Sequence, residues 1–366
     1  MKKIRVGIIG QGRSGRNIHR RVLSTQVNAL ERFEVVAVSD PIPERCKPFE
    51  DVSIPQNFKV YPNYKDMLKD KSIDLIVNAT RSMDHIPVSI EALKAGFHVL
   101  CEKPLASTVA EVDKVIAAAK KAKKHFAVYQ QSRFRPTFRK CIEIIKSGVI
   151  GEAVQVNIKF NGWSRRWDWQ TLQECYGGDL MNTAPHPLDM ALQFYGDGEA
   201  DPEKVVCVLH SINVWGDADS YVKLLLIGKG HPTIDLEVSH VDAYPGNVFE
   251  VYGTKGGIKA NFNTVTWKYY KPEEAPRHEL VPGILLGPGK LPIYCGEKLD
   301  WYESTWTAPE QACHPELWGD IYYTQLYDAI TKGKKQDVTV EQVRRQIKVI
   351  EECHKQNPLP CRKVKK

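Results

Sequence analysis

Lys3-Ile4-Arg5-Val6-Gly7-Ile8-Ile9-Gly10-Gln11-Gly12-Arg13-Ser14-Gly15 begins as an apolar run that reads as a strand and ends at Gly10, where G-x-G-x-x-G starts. Arg13 to about Leu30 then reads as a helix. Gly10 allows the tight turn, Gly12 the close approach of a pyrophosphate, and Gly15 the packing of helix on strand. The helix N-terminus offers free N–H groups and a partial positive charge to phosphates. Gln11, Arg13 and Ser14 share this loop and join the three glycines as cofactor-contact candidates. A second apolar strand, Phe33 to Ser39, ends in Asp40. An acid there accepts hydrogen bonds from both adenosine ribose hydroxyls, which favours NAD over NADP. Pro41-Ile42 brings no basic partner for a 2′-phosphate, and Arg45 is the nearby exception. A lone glycine turn would be bland. The strand before it, the helix after it and the acid ending the next strand turn it into a dinucleotide site.

Size and composition narrow the class. The 366 residues are enough for two domains with a sizeable core. Hydrophobic content of 42% and charged content of 26% are those of an ordinary soluble globular protein. The net charge of +7 is modest, and part of it lies in the tail Arg362-Lys363-Val364-Lys365-Lys366, which reads as a solvated end. No basic stripe with regular aromatics argues for nucleic acid. The nine cysteines show no C-x-x-C pair and no metal-ligand spacing, so they read as reduced thiols of a cytoplasmic protein without a metal site. The apolar run after Met1-Lys2-Lys3 flows into the glycine loop, which makes it a first strand and not a signal peptide. No run approaches the roughly 20 apolar residues of a membrane span.

Strand and helix patterns alternate through the first third. Strands are predicted at Ile4–Ile9, Phe33–Ser39, Leu75–Asn78, Val99–Cys101 and Phe126–Tyr129, with helices such as Pro87–Ala95 and Val109–Ala122 between them. This βαβ rhythm implies a parallel, doubly wound sheet over residues 1–129. From 130 to 366 the pattern changes. Val154–Phe160, Val205–His210, Val222–Ile227, Thr233–His240 and Val248–Gly253 are extended, with one long helical segment at roughly Gly178–Phe194. That predicts a C-terminal α+β domain with an open, mostly antiparallel sheet. A final helix at about Val340–Gln356 carries Val343, Ile347, Ile350 and Cys353 at helical spacing. Residues 271–320 are rich in Pro, Gly, Trp and Tyr and lack clear periodicity.

Two stretches carry chemistry. Glu102-Lys103-Pro104 follows the strand ending at Cys101, which puts Lys103 at the C-terminal edge of the parallel sheet, where open α/β folds bind ligands. In isolation the tripeptide is a surface lysine before a helix-starting proline; the strand and the glycine loop favour function. The second stretch is Gly177-Gly178-Asp179-Leu180-Met181-Asn182-Thr183-Ala184-Pro185-His186-Pro187-Leu188-Asp189. Asn182 and His186 are four apart and are predicted to share one helix face. A histidine can take a proton from a substrate hydroxyl as a hydride leaves.

In order and spacing these pieces resemble the glucose–fructose oxidoreductase, inositol dehydrogenase and rhizopine-catabolism family (Gfo/Idh/MocA). The matching pieces are Gly10–Gly15, Asp40-Pro41, Asn78-Ala79-Thr80 with His85, Ala95-Gly96 through Glu102-Lys103-Pro104, and Gln131-Ser132-Arg133-Phe134. Gly148–Glu152, Gly177–Asp189 and Gly253–Gly257 complete the set. The resemblance implies a Rossmann domain, and a second domain whose sheet often forms an oligomer interface, here a homodimer or homotetramer. It also implies NAD(P)-linked oxidation or reduction of a sugar, cyclitol or glycoside. By position, Lys103 matches the lysine that contacts substrate and nicotinamide ribose, and His186 matches the catalytic histidine. Thr80, His85 and Glu102 join the cofactor-binding candidates, and a cis peptide at Lys103-Pro104 is expected. Asn182 stands where many members have an aspartate. An amide neither accepts a proton nor raises the histidine pKa as a carboxylate does, but it can orient substrate or imidazole.

Trp163, Ser164, Arg165, Arg166, Trp167, Asp168 and Trp169 lie in the region that reaches the pocket in relatives. Aromatic faces stack on sugar rings, although a loop anchored by its tryptophans explains them equally well. Arg133, Trp163, Trp167 and His240 are taken with Lys103, Asn182 and His186 as substrate-binding candidates, with Arg133 alternatively holding the inter-domain hinge. The expected activity is NAD-dependent oxidation of a secondary hydroxyl of a sugar or glycoside, such as C3 of a glucoside. The alternatives are a cyclitol (myo-inositol-type) dehydrogenase, redox-assisted glycoside hydrolysis with recycled NAD, and a non-catalytic dinucleotide sensor.

Overall fold

The computed structural model describes residues 2–361, so Met1 and the basic tail from Arg362, read above as a solvated end, lie outside the described residues. The first sheet holds β1 (Ile4–Ile9), β2 (Phe33–Ser39), β3 (Lys59–Tyr61), β4 (Leu75–Asn78), β5 (His98–Cys101) and β6 (Phe126–Val128) in the order β3-β2-β1-β4-β5-β6. Every pairing in it is parallel. Val6, Ile8, Leu75, Ile76, Val77, Val99 and Leu100 are fully buried, as expected for strands covered on both faces. The strand order reverses between β1 and β4, which opens a crevice at their C-terminal ends.

Helices α1 (Arg21–Thr25), α2 (Val27–Arg32), α3 (Tyr64–Met67), α4 (His85–Lys94) and α5 (Val109–Ala122) accompany this sheet. The single helix expected from Arg13 to Leu30 is instead a π-type segment, Arg13–Arg20, followed by α1 and α2, with Gln26 extended between them at φ −89°, ψ 131°. Asp320 explains the break: its carboxylate accepts from the backbone N–H of Ala29 (2.7 Å) and the side chain of Asn28 (2.8 Å), supplying the partner a new helix start requires.

The second sheet contains β7 (Ala153–Asn161), β8 (Lys204–His210), β9 (Tyr221–Ile227), β10 (Thr233–Ser239), β11 (Phe249–Gly253), β12 (Gly256–Ala260), β13 (Thr264–Tyr270) and β14 (Trp301–Thr307). Their order is β14-β13-β12-β11-β7-β10-β9-β8, parallel only between β7 and β10. Along β9 and β10, Val222, Leu224, Leu226, Ile234, Leu236 and Val238 face the core in strict alternation. The other face carries the ion pairs of Lys223 with Asp235 (2.6 Å) and Glu237 (3.3 Å). It is therefore mixed, with charges among its apolar residues.

Helices α6 (Pro136–Lys146), α7 (Asp179–Asn182), α8 (Pro185–Gly196), α9 (Pro315–Lys332) and α10 (Val340–Gln356) complete the fold. The expected segment Gly178–Phe194 divides at Thr183-Ala184 because Pro185 and Pro187 lack N–H groups and so occupy the first turn of a new helix. Sequence periodicity missed α9 and β14, both touching the 271–320 stretch. The buried side of α9 is built from Leu326 and the aromatics Trp318, Tyr322, Tyr323 and Tyr327, a set that reads as irregular until its tyrosines are seen meeting Phe33 and Tyr129 edge to face. No helix among the described residues is long and apolar enough to cross a membrane, and no cluster of three His, Cys, Asp or Glu side chains there is placed to hold a metal.

Candidate active site

The glycine loop joins β1 to the helical segment at the crevice. Gly10 has φ +85°, and a Cβ there would lie 2.3 Å from the Ala79 carbonyl oxygen. A Cβ on Gly15 would lie 1.7 Å from the Gly10 oxygen, whereas one on Gly12 would meet nothing within 4 Å. The first and third glycines are thus required by packing, while the second leaves open space above the loop, the shape a pyrophosphate needs. Asp40 is buried at the end of β2; its Oδ2 accepts from the Gln11 N–H (2.8 Å) and its Oδ1 from the Ile42 N–H (2.9 Å). Arg45 stands 3.6 Å from the same carboxylate. Arg13 is exposed and Ser14 half-buried at the start of the helical segment. These residues fit a nicotinamide dinucleotide laid across the loop.

Several expected cofactor contacts have inward-facing side chains. Gln11 is buried, with its amide turned to the Gly10 carbonyl (3.2 Å). The buried His85 ring lies between the carbonyls of Pro104 (2.6 Å) and Thr80 (3.2 Å), tying the loops after β4 and β5 together. The Thr80 hydroxyl donates to Asn78 (2.7 Å). Glu102 is buried, with Oε1 3.1 Å from His19 Nε2 and Oε2 accepting from the Lys103 N–H (3.0 Å). Sequence spacing cannot show which way a side chain turns; in the fold these side chains brace the crevice from within.

Lys103 follows β5 across a cis bond to Pro104. Its Nζ donates to the Asn182 carbonyl (2.7 Å), bringing the end of the first sheet to the end of α7. Burial lowers the Lys103 pKa, Glu102 opposes this, and Arg13 and Arg166 lower it further. Burial also pushes His186 well below its ordinary value, helped by Lys103 and Arg135 and opposed by Glu102. The His186 Nδ1 has no partner among the described residues. Asn182 and His186 do not share one continuous helix, as α7 ends at Asn182 and α8 starts at Pro185. The Asn182 Oδ1 instead accepts from Gln170 Nε2 (3.1 Å), whose Oε1 accepts from Arg166. Arg166 and Gln170 therefore reach Lys103 through Asn182; Gln170 had no signal in its local sequence.

Trp163 and Trp167 are 60% and 75% exposed. Trp163 bridges to Val241, and the Ser164 N–H donates to the His240 carbonyl (3.2 Å), so this loop and His240 are held together. His240 Nε2 lies 3.4 Å from Asp179 Oδ1. Arg133 is elsewhere. Its buried guanidinium binds Asp189, the Asp337 carbonyl (2.5 Å) and Gln342 (2.6 Å), clamping α8 to the start of α10. It lines a cleft of about 680 Å³ that contains neither Lys103 nor His186. These side-chain partners of Arg133 are all internal, in keeping with the alternative of a structural hold for this residue.

Residues 4–130 match the model of an oxidoreductase family with an NAD-binding Rossmann fold, and residues 138–259 match the Gfo/Idh/MocA C-terminal domain. The chain is 30% identical over 265 residues to the uncharacterized oxidoreductase YrbE of Bacillus subtilis, covering 71% of this chain and 74% of that one. It is 29% identical over 263 residues to the myo-inositol 2-dehydrogenase of Thermotoga maritima, covering 70% and 75%. The crystal structure of an NAD-binding protein from Listeria innocua superposes with a TM-score of 0.77 over 97% of both chains at 23% identity. With both domain models matched in order along the chain and a relative at 30% identity covered over most of its length, the chain belongs to the Gfo/Idh/MocA family of NAD-binding oxidoreductases.

Proposed function

We propose that this oxidoreductase acts on a secondary hydroxyl of a sugar or glycoside, with His186 as the acid/base, Lys103 assisting and NAD as the preferred cofactor. The observation that carries the reading is the Lys103–Asn182 hydrogen bond at 2.7 Å, which joins the two chemistry-bearing stretches beside the open face of the glycine loop. A nicotinamide dinucleotide bound there supplies a hydride acceptor. Gly10, Gly12, Gly15 and the N–H groups at Arg13 and Ser14 hold its phosphates, and Asp40 faces its adenosine ribose. Arg45 already stands against Asp40, so its charge is partly spent there and the carboxylate repels a 2′-phosphate.

The Lys103 ammonium donates to the reacting hydroxyl oxygen and lowers the cost of negative charge on it. His186, kept neutral by burial and by Lys103, removes the hydroxyl proton and returns it in the reverse direction. Asn182 orients the substrate through its amide while its carbonyl steers Lys103. The exposed Trp163 and Trp167 favour a substrate with a second ring to stack, hence a glycoside over a bare cyclitol.

The test is a panel of free sugars, glycosides and myo-inositol with NAD and with NADP, followed by NADH absorbance. A glycoside is expected to turn over with stoichiometric NADH release, faster with NAD. Lys103→Ala and His186→Ala should each slow the chemical step by about a hundredfold or more while remaining folded. Turnover without NADH release supports redox-assisted hydrolysis; best turnover of myo-inositol supports the cyclitol reading. Cofactor binding with no turnover of any panel member supports a sensor, and a folded His186→Ala enzyme at near-normal rate removes the histidine from the mechanism.

A further inference from the structure

We propose that His19 and Tyr323 are positioning residues for Lys103, the outer members of a buried hydrogen-bonded chain that holds the Glu102 carboxylate behind the lysine. The proposal rests on the reading of Lys103 as the substrate-facing ammonium. Tyr323 Oη lies 2.8 Å from His19 Nδ1, His19 Nε2 lies 3.1 Å from Glu102 Oε1, and Glu102 Oε2 accepts from the Lys103 N–H at 3.0 Å. All three side chains are buried, and the Tyr129 ring packs on His19 with centroids 4.4 Å apart.

The direction of the chain follows from its chemistry. Burial alone would raise the Glu102 pKa, but the His19 hydrogen bond and the charges of His19, Lys103 and His85 hold it down at about 2. An ionised carboxylate only accepts, so His19 Nε2 carries its hydrogen. Burial pushes the Tyr323 phenol well above its ordinary value, so it keeps its proton beside His19 Nδ1. Each member is satisfied in this arrangement, and the carboxylate stays charged.

That charge matters at Lys103. Desolvation, Arg13 and Arg166 all disfavour the ammonium, and Glu102 is the group that opposes them. The Asn182 carbonyl accepts from Nζ, and the neighbouring His186 is neutral. Without the His19 donor, a buried Glu102 loses its side-chain partner and takes up a proton. Lys103 then loses its counter-charge and deprotonates at lower pH. His19 lies in the segment that follows the glycine loop, and Tyr323 lies in α9, so the chain ties both elements to the backbone at Lys103.

The test titrates Lys103 directly in the full chain without substrate. Protein labelled with [6-13C]lysine is followed by NMR against pH, with the resonance assigned by its loss in Lys103→Arg. His19→Phe should lower the Lys103 midpoint by about one pH unit or more. His19→Gln, whose amide still offers an N–H, should recover most of the shift, and Tyr323→Phe should give a smaller shift of the same sign. The alkaline limb of kcat/KM should fall in parallel on whichever panel substrate is turned over. An unmoved Lys103 midpoint in folded His19→Phe overturns the proposal even if the enzyme proves to be a glycoside dehydrogenase. Should His19→Phe fail to fold, an unmoved midpoint in Tyr323→Phe overturns it. Failure of the substrate panel leaves the titration result standing, so the two readings fail separately.

Discussion

Position 182 is where this chain departs from the aspartate implied by the family resemblance. The amide is engaged on two sides, accepting from Gln170 through Oδ1 and from Lys103 through its backbone carbonyl. Asn182→Asp keeps an acceptor for Gln170 and adds a negative charge close to the lysine. A carboxylate there favours the protonated forms of both Lys103 and His186. Activity needs a neutral His186, so the acid limb of kcat/KM should move to higher pH, and the Lys103 limb should move upward with it. The pH profile of this variant against wild type is the measurement; superimposable profiles would show that position 182 does not couple electrostatically to either group. Lys103 and His186 were legible as residues because a strand end and a glycine pair mark them. The inward turn of the Gln11, His85 and Glu102 side chains is not legible in the sequence, because it depends on the folded surroundings of each residue.

At the scale of elements, α7 is a single turn that cannot stand alone, and Asp219 holds it. The Asp179 N–H donates to the Asp219 carbonyl (2.9 Å), and the Leu180 N–H donates to its Oδ2 (2.7 Å). Gly178 allows this approach: its φ is +98°, and a Cβ would lie 2.3 Å from Asp219 Oδ1. Burial raises the Asp219 pKa to about 7; Asp179 adds to this, and the Leu180 N–H opposes it. The folded value then exceeds the unfolded one of about 3.9, so the native state binds the extra proton, and stability falls as pH rises from about 4 through about 7. Asp219→Asn removes that loss. The variant should melt higher than wild type at pH 8, by the equivalent of about 1–2 kcal/mol, with the gain shrinking toward pH 4. An equal difference at both pH values, measured by thermal denaturation, would show that Asp219 does not titrate in this range. The α7–α8 break is legible in Pro185 and Pro187, although the helical spacing of Leu180, Leu188 and Leu192 masks it.

At the scale of the whole molecule, helices cover one face of the second sheet and leave the other open. On the open face Leu225 and Tyr252, the latter 50% exposed and bonded to Asn157, stand with the Lys223–Asp235–Glu237 ion pairs. A face that mixes apolar and paired charged side chains suits a specific interface between copies. We expect a homodimer or homotetramer through this sheet, with Tyr252→Lys shifting the mass measured by light scattering toward monomer. A wild-type monomer at micromolar concentration would contradict it. The sequence alone determined the parallel sheet, the glycine loop, the second mostly antiparallel sheet and the two stretches holding Lys103 and His186, because glycine spacing and the periods of strand and helix are local properties. Tertiary structure decided what surrounds them. Lys103 meets Asn182 across 79 positions and His19 meets Tyr323 across 304, and burial and charge act through space between residues whose separation no local pattern records.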